Sequence, residues 1–517
     1  MSARGARARG DVAARAMAGS AIGLVNVVLG IGTAVATVPL LLRYWDQQTY
    51  AIWLAVFAVY SLLQTADTGH TGYLGNEFLR LAHSDAAEYR RTFASGLRIA
   101  VVLGAAQVLI AVALLLVGLV PRVLGIPLSG SAAVQAGLAL VALALGWWAS
   151  GSLGGVIAGL YLPAGEFVRA QGWAIANRLL LFACLVGPAV TGYSVLGAAV
   201  ATGVGNVVFT LLLLADAWRR FPTTRHWAAD ASWSLAVANA RRSLVVTGNN
   251  ASVQLSTNGL ALAVSSLLGA AMLLSFTTLR TLANAASAIT TVVVSPLVPD
   301  MVRYRTQEDW GKLHVCFEAC WWGVGLLVHL GTLACFPLAA YVYTVWTGGR
   351  IPFDAPLFAV LAWTIGLAGI GAPALRYLQA MNRLAAQSLA NASYFAALAV
   401  ALPLALTPLG LSGVGIALAV AELVRTLVVL HRVALELPSG VGERLRRGGR
   451  QASVPLLLSG AVLAAAVRLP AAAGAICAVG VAVLAGTYVV QWRTLDPQFR
   501  ERMRRALPSL TPARTIG

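Results

Sequence analysis

The sequence has few charged residues. Only 11% of its 517 residues are charged and 59% are hydrophobic, whereas soluble domains carry about a quarter charged residues. Acidic residues number 19, and Lys312 is the single lysine among 37 basic residues. This composition excludes an ordinary soluble domain. With a mean hydropathy of +0.77, it predicts a polytopic membrane protein.

Cysteine is also scarce, and the few thiols all fall inside apolar runs. The five positions are Cys184, Cys316, Cys320, Cys335 and Cys477. They lack the partner histidines or paired spacing of a zinc site or disulfide framework. We therefore expect buried thiols, no metal and no cofactor. The net charge of +18 does not predict nucleic-acid binding, because the arginines lie in short loops between apolar runs.

Long polar loops are missing as well. No predicted external loop exceeds about a dozen residues, whereas membrane-embedded glycan enzymes need a sizeable loop to hold a catalytic site. No nucleophile or metal motif occurs, and the glycine-rich run 151–159 lies inside an apolar segment where small residues let helices approach. The sequence therefore predicts a protein that is not an enzyme.

What the chain does have is apolar runs of membrane-spanning length. We count about fourteen, beginning with helices near 18–42 and 50–67 and ending near 471–490. Unpaired backbone groups are costly in lipid, so these runs must be helical. With both termini cytoplasmic, 31 of the 37 basic residues fall in inner segments, among them Arg169, Arg178, Arg241 and Arg242. This is a strong positive-inside asymmetry.

The second half of the chain repeats the first. At an offset of 216 residues, Gln171 aligns with Gln387, Gly197 with Gly413 and Thr210 with Thr426. The fold prediction is an all-α polytopic membrane protein with two pseudo-symmetric six-helix lobes and two additional C-terminal helices. The predicted domains are an N-lobe at 1–218, a basic cytoplasmic linker at 219–242, a C-lobe at 243–432, and 433–517 with helices 13 and 14 and a cytoplasmic tail.

Polar stripes on four helices mark the candidate substrate-binding residues. Polar side chains recur there at spacings of three and four, which places them on one helix face. Stripes in hydrocarbon must face other helices or water, so we expect them to meet across one central cavity. The candidates are Arg280, Asn26, Gln64, Asn250, Gln254, Asn258, Asn284 and Thr277.

Arg280 is the leading candidate. It lies about ten residues into predicted helix 8, near mid-depth, where an arginine costs at least about 2.5 kcal/mol. A hydrated cavity that offers an anion would justify this cost. Capping of backbone carbonyls or snorkelling outward is the alternative.

Five further charged residues are candidates for gating or ion pairing. Glu422 and Arg425, three apart in helix 12, predict an internal ion pair. Arg43 and Asp46 predict a charge pair at the outer corner after helix 1. Asp67, with His70, is expected to organise the cytoplasmic end of helix 2.

The hairpin VPLLLRYWDQQTYAIWLAVFAVYSLLQTADTG resembles the polysaccharide (Wzx-type) flippases of the multidrug/oligosaccharidyl-lipid/polysaccharide exporter superfamily. The matching residues are Pro39, Arg43, Tyr44, Tyr50, Trp53, Asp67 and Gly69. Trp45 and Asp46 replace the family's Leu-Gly, and Ala51 replaces a glycine. Helix number, cytoplasmic termini and the final helix pair are similar along nearly the whole chain.

The resemblance implies a flippase in the bacterial cytoplasmic (inner) membrane. By alternating access, it would move polyprenyl-diphosphate-linked oligosaccharide repeat units between leaflets for export of cell-surface polysaccharide. The partners would be this lipid-linked oligosaccharide, membrane lipids, and a glycan polymerase and glycosyltransferases. Arg280 would bind the diphosphate, since arginine stays charged and donates two hydrogen bonds at once.

Three alternatives stay open. The peptidoglycan-precursor flippases of the same superfamily carry arginines in helices 1 and 2, where this chain has only Arg43. The drug/cation antiporters of the MATE type carry an acid in helix 1, where this chain has Asn26. A non-transporting scaffold of a glycan-assembly complex needs no polar stripes, so replacing Asn250 and Gln254 by leucine would then be silent.

Overall fold

The computed structural model of the chain describes residues 3–82, 84–225, 227–495 and residue 500. This part of the chain is built from helices and contains no strand. By length and composition it holds 11 candidate membrane spans, or up to 12 with one bent helix pair counted as a span. The all-helical membrane fold is confirmed. The predicted carboxyl-terminal tail, apart from Arg500, lies outside the described residues.

The chain forms two compact units. The first is Met1–Thr278 with Thr344–Pro352, and the second is Leu279–Tyr343 with Phe353–Gly517. The predicted basic linker at 219–242 is shorter than expected, because a helix already begins at Trp233. That helix belongs to the first unit.

Twelve helices lie wholly in the first unit. They are α1 (Ala3–Tyr44), α2 (Gln47–Leu63), α3 (Thr65–Leu81), α4 (Ala86–Leu116), α5 (Val120–Leu124), α6 (Gly130–Trp147), α7 (Gly154–Ala158), α8 (Phe167–Val190), α9 (Val195–Arg220), α10 (Trp227–Asp230), α11 (Trp233–Gln254) and α12 (Leu260–Leu268). Two π-helical turns interrupt this set, Trp148–Leu153 before α7 and Leu255–Gly259 before α12. Such turns are rare and often mark functional sites.

The remaining helices of the described chain follow α12 in sequence. They are α13 (Ala270–Ala285), α14 (Ser287–Val294), α15 (Val298–Thr306), α16 (Trp310–Thr347), α17 (Ala355–Ala380), α18 (Leu384–Glu436), α19 (Ser439–Arg468) and α20 (Ala473–Thr494). The division between the units falls inside α13. Ala286 separates α13 from α14 but keeps right-handed helical backbone angles, and residues 270–306 count as one candidate span.

Helix α18 is two helices joined at a kink. Gly410 has φ 54° and ψ −130°, backbone angles that residues other than glycine rarely adopt. Pro403 and Pro408 lie just before it and remove backbone donors from the same turns. The segment therefore corresponds to two spans that the sequence predicts, near 384–406 and 411–431 (predicted helices 11 and 12).

Helix 2 does not end at Asp67, contrary to the sequence analysis. The chain bends by 44° at Gln64 and continues as α3 to Leu81. The prediction failed because TADTGHTG is polar enough to resemble an interface. Its polar side chains are buried against other helices instead, with Asp67 and His70 each 1% exposed.

Several residues assigned to inner loops lie within helices. Arg169 and Arg178 are in α8, and Arg241 and Arg242 are in α11. The boundaries were misplaced because an arginine lowers the local hydropathy without ending the helix. The thiols also differ from expectation, since Cys335 is exposed and Cys184 half-buried. An apolar side chain on a lipid-facing helix need not be covered by protein.

Candidate functional site

Four polar side chains of the second unit form a cluster. Arg280 of α13 lies near Tyr394 of α18. Arg425 lies over the Tyr394 ring, with its guanidinium carbon 5.0 Å from the ring centroid. Arg425 Nη2 also lies 2.6 Å from Glu422 Oε2, in an ion pair at the spacing that predicts one. We call Arg280, Tyr394, Glu422 and Arg425 the arginine cluster.

The arginine cluster lies deep in its helices. Arg280 and Tyr394 are each about ten residues from a helix start, or ~15 Å at 1.5 Å per residue. This is about half of a 30 Å hydrocarbon core. Glu422 is 5% exposed. With two arginines and one carboxylate, the four side chains of the cluster carry a formal charge of +1.

Asp67 of the first unit lies in a different polar environment. Its Oδ2 accepts hydrogen bonds from Gln107 Nε2, from Ser152 Oγ at 2.7 Å and from Trp147 Nε1 at 3.0 Å. Its Oδ1 is buried and has no hydrogen-bond partner among the described residues. Ser152 belongs to the π-helical turn before α7. Asp67 is therefore a buried acceptor held by neutral donors, not a group at a helix exit.

The α11 stripe faces α3. Asn250 Nδ2 donates to Thr68 Oγ1 at 3.4 Å. A Cβ built at Gly69 would lie 2.4 Å from Thr247 Cα, so the missing side chain permits the close approach of the two helices. Gln254 and Asn258 bond to each other at 2.7 Å across the π-helical turn Leu255–Gly259. α11 and α3 therefore meet through Thr68 and Gly69, which are not residues of the predicted stripes.

The α1 stripe faces α8. Asn26 Nδ2 donates to Gln171 Oε1 at 3.0 Å. Thr33 and Thr37 donate to carbonyls of their own helix, so their hydroxyl hydrogens are already engaged. Of this stripe, Asn26 thus keeps a buried amide oxygen without a partner among the described residues.

The other predicted binding residues lie in α13 and at the bend between α2 and α3. Thr277 Oγ1 donates to Leu273 O at 2.8 Å, within its own helix. Asn284 is exposed, and its carbonyl accepts from Ser287 Oγ at 2.6 Å. Gln64 is half-buried at the bend between α2 and α3.

The corner between α1 and α2 does not contain the predicted charge pair. Arg43 is exposed over the Tyr44 ring, and Asp46 caps α2 by accepting from the Thr49 backbone N–H at 2.6 Å. Arg350 donates to the carbonyls of Leu42 and Trp45 at the end of α1. Asp46 and Arg350 bond to backbone groups at the helix ends, which would otherwise lack hydrogen-bond partners. This arrangement takes the place of an Arg43–Asp46 ion pair.

This cap predicts a pH-dependent effect. The Thr49 N–H bond lowers the pKa of Asp46, so the cap contributes stability above the unfolded pKa and loses it as pH falls through the folded pKa. Asp46→Ala should cost at most about 1 kcal/mol at neutral pH, because the site is exposed. Hydrogen exchange at the start of α2 should accelerate at pH 7. The difference from wild type should shrink at about pH 3. Asp46→Asn, which keeps a capping oxygen, is the control, and equal exchange in the Ala variant and wild type would contradict the cap.

Sequence reasoning missed Tyr394, Gln107, Trp147 and Ser152. Each lies in a largely apolar stretch of sequence, where a single polar side chain gives no periodic signal. The repeat offset would have found one of them, because 216 residues before Tyr394 is Arg178.

Helices of membrane-spanning length that carry buried polar clusters are the fold of a multi-pass membrane protein. Comparison with solved structures identifies the superfamily that shares this fold. An inward-facing multidrug-resistance MATE family transporter of the MOP superfamily is similar, with a TM-score of 0.58 and 16% identity over 83% of this chain and 95% of that one. The lipid II flippase MurJ in an inward closed conformation has a TM-score of 0.59 and 12% identity, covering 95% and 99%.

A third structure, the outward-facing MATE transporter of the same superfamily, has a TM-score of 0.52 and 17% identity over 85% and 96% of the two chains. The chain therefore has the fold of MOP-superfamily transporters. No family model matches the sequence, and no curated protein matches it.

Proposed function

We propose that this protein is a flippase that moves polyprenyl-diphosphate-linked oligosaccharide units across the cytoplasmic membrane. The units would supply export of cell-surface polysaccharide, and the protein would work by alternating access. Arg280 would bind the diphosphate. In this role the protein is a transporter and catalyses no covalent step.

The observation that carries the proposal is the charge of the arginine cluster. An arginine near mid-depth is costly in hydrocarbon and faces protein, water or a ligand. Glu422 pairs with Arg425, and the guanidinium of Arg280 gives the cluster a net positive formal charge, which favours an anion. A diphosphate suits it, since guanidinium binds phosphate oxygens through two parallel hydrogen bonds.

Neutral hydrogen-bonding groups supply the chemistry for a sugar. Asn26 has an amide oxygen without a partner among the described residues, and Asn250 and Gln254 carry amides on α11. Amides both donate and accept, as recognition of sugar hydroxyls requires. A drug cation would instead need unpaired carboxylates, which the arginine cluster does not offer.

The extent of structural similarity also supports a lipid-linked substrate. The lipid II flippase structure covers 95% of this chain, compared with 83% and 85% for the two MATE transporters. A peptidoglycan-precursor flippase is therefore the second candidate function. Residues 16–42 of α1 and the whole of α2 contain no arginine, which weighs against it.

The proposal is tested with purified full-length protein in phosphatidylcholine vesicles. Fluorescent lipid-linked oligosaccharide in the inner leaflet should become accessible to an external lectin faster than in protein-free vesicles. Repeating the measurement with and without a membrane potential shows whether the potential drives the movement.

A lipid-linked peptidoglycan precursor and a cationic dye serve as comparison substrates in the same vesicles. Movement of the lipid-linked oligosaccharide above the protein-free rate supports the proposal. Movement of the peptidoglycan precursor alone assigns the second candidate. Export of the dye, without lipid movement, rejects flipping in favour of drug transport.

A further inference from the structure

Arg178 is a second arginine deep within a membrane-spanning helix. It lies eleven residues after the start of α8 and twelve before its end, or about 16 Å and 18 Å along the axis. These distances exceed the reach of an arginine side chain, so snorkelling to either helix end does not account for it.

The α8 start is anchored by a separate set of charged groups. Asp216 of α9 accepts hydrogen bonds from Arg169, from Tyr161 and from Trp173. Arg220 pairs with Glu166 at 2.6 Å. Arg178 lies about 13 Å deeper than Arg169, at 1.5 Å per residue, and takes no part in this network.

Gly30 of α1 makes room for the Arg178 head group. A Cβ built at Gly30 would lie 2.6 Å from Arg178 Nη1 and 3.2 Å from Cζ. One helical turn earlier, Asn26 bonds to Gln171 at 3.0 Å. Arginine side chains in helices point back toward the amino terminus, which brings the guanidinium toward this pair.

Arg178 is exposed, and the described part of the chain gives it neither a hydrogen bond nor an ion pair. Two amide oxygens on these helices, Asn26 Oδ1 and Asn177 Oδ1, are buried and also lack partners there. A permanent cation with adjacent free acceptors matches a ligand that carries both an anion and hydroxyl groups.

We propose that Arg178, Gly30 and the Asn26–Gln171 pair form a second anion-binding site, which takes a phosphoryl group carried by a lipid. The Arg178 guanidinium binds the phosphoryl oxygens, and Asn26 Oδ1 accepts from a neighbouring hydroxyl. That the lipid is the transported one rests on the proposed function. The site itself depends only on the contacts between α1 and α8.

The repeat relation is consistent with this site. At the offset of 216 residues, Arg178 aligns with Tyr394 of the arginine cluster and Gln171 with Gln387. At this aligned position, α8 in the first unit carries the guanidinium of Arg178. The first part of α18 in the second unit carries the Tyr394 ring.

The test measures binding of undecaprenyl diphosphate to the full-length protein in phosphatidylcholine nanodiscs by native mass spectrometry. Arg178→Gln should weaken binding about tenfold or more, since a charge-assisted bond is lost. Arg178→Lys should retain part of the affinity, because lysine keeps the charge without the two-bond geometry. Gly30→Ala should weaken binding less than Arg178→Gln, by displacing the head group.

Gly32→Ala is the matched control, because a Cβ there meets no atom within 4 Å. It should bind as wild type does, and all variants should keep the wild-type thermal midpoint. Wild-type affinity in both Arg178→Gln and Gly30→Ala would overturn the site. Equal competition by phosphatidylglycerol would keep the phosphoryl site but assign it to ordinary anionic lipid.

The two proposals fail separately. If the wild-type protein moves no lipid-linked oligosaccharide while Arg178→Gln still weakens diphosphate binding, the flippase function fails and the site stands. If Arg280→Gln weakens binding while Arg178→Gln does not, the site fails and the proposed function is untouched.

Discussion

Replacing Arg280 by glutamine is expected to reduce translocation of lipid-linked oligosaccharide at least about thirtyfold. Removing one partner of a desolvated, hydrogen-bonded charge pair costs about 2–5 kcal/mol, which corresponds to that loss or more. Glutamine keeps most of the length and polarity of the side chain and removes only the charge and the two-bond geometry. The vesicle assay, with protein levels matched, measures the change.

Two control variants separate the charge at Arg280 from the general basicity of the chain. Arg447→Gln removes an arginine of the second unit whose side chain is 72% exposed, and should leave transport unchanged. Arg280→Lys should recover part of the rate, because it retains a cation without the guanidinium fork. Full transport by Arg280→Gln would remove Arg280 from the binding site.

The apolar runs predicted the fold because the bilayer imposes one rule on every span. Backbone groups must be satisfied within each segment, so length and hydropathy determine the helices with little help from side-chain detail. In α18, the apolar runs predict two spans with a break near Gly410, and the kink in the structure lies at that residue.

Helix ends were less predictable, because a polar segment of a membrane protein either lies at the water interface or is buried against polar groups of other helices. The segment around Asp67 and His70 is polar, and on its own it resembles an exit to water. Gln107 and Trp147 supply the buried partners that keep it within the protein, and they come from helices 40 and 80 residues away in sequence. No local pattern carries that information.

The polar sites were predictable in part for the same reason. Spacing within one helix found Glu422 and Arg425, since both members of the pair lie on α18. It missed Tyr394, which joins the cluster only through tertiary packing. Arg178 was misassigned because an arginine near a predicted boundary was counted with the loop.

Glu422 and Asp67 are both buried carboxylates of the described chain, and they are stabilised in different ways. Glu422 is neutralised by Arg425, whereas Asp67 is held by an amide, an indole and a hydroxyl. A buried charge is costly unless its lone pairs are satisfied. The structure around Asp67 therefore depends on three donors converging on one oxygen, which makes that residue the more sensitive to truncation.

Asp67→Ala should destabilise the first unit by about 3 kcal/mol or more. Truncation strands the donors of Gln107, Trp147 and Ser152 in a buried site, and each unsatisfied donor costs about 1–3 kcal/mol. The thermal midpoint of detergent-solubilised protein, followed by loss of the monodisperse chromatographic peak, should fall clearly. Ser152→Ala removes one donor and keeps the acceptor, so its effect should be much smaller.

Asp67→Asn distinguishes the acceptor from the charge. The amide keeps an oxygen at the position of Oδ2, so the three donors stay bonded and most of the stability should return. If Asp67→Ala were as stable as wild type, the three hydrogen bonds would contribute nothing net. Both variants lack the negative charge, but only Asp67→Asn can still accept a hydrogen bond. If Asp67→Asn were as unstable as Asp67→Ala, the stability would therefore depend on the negative charge.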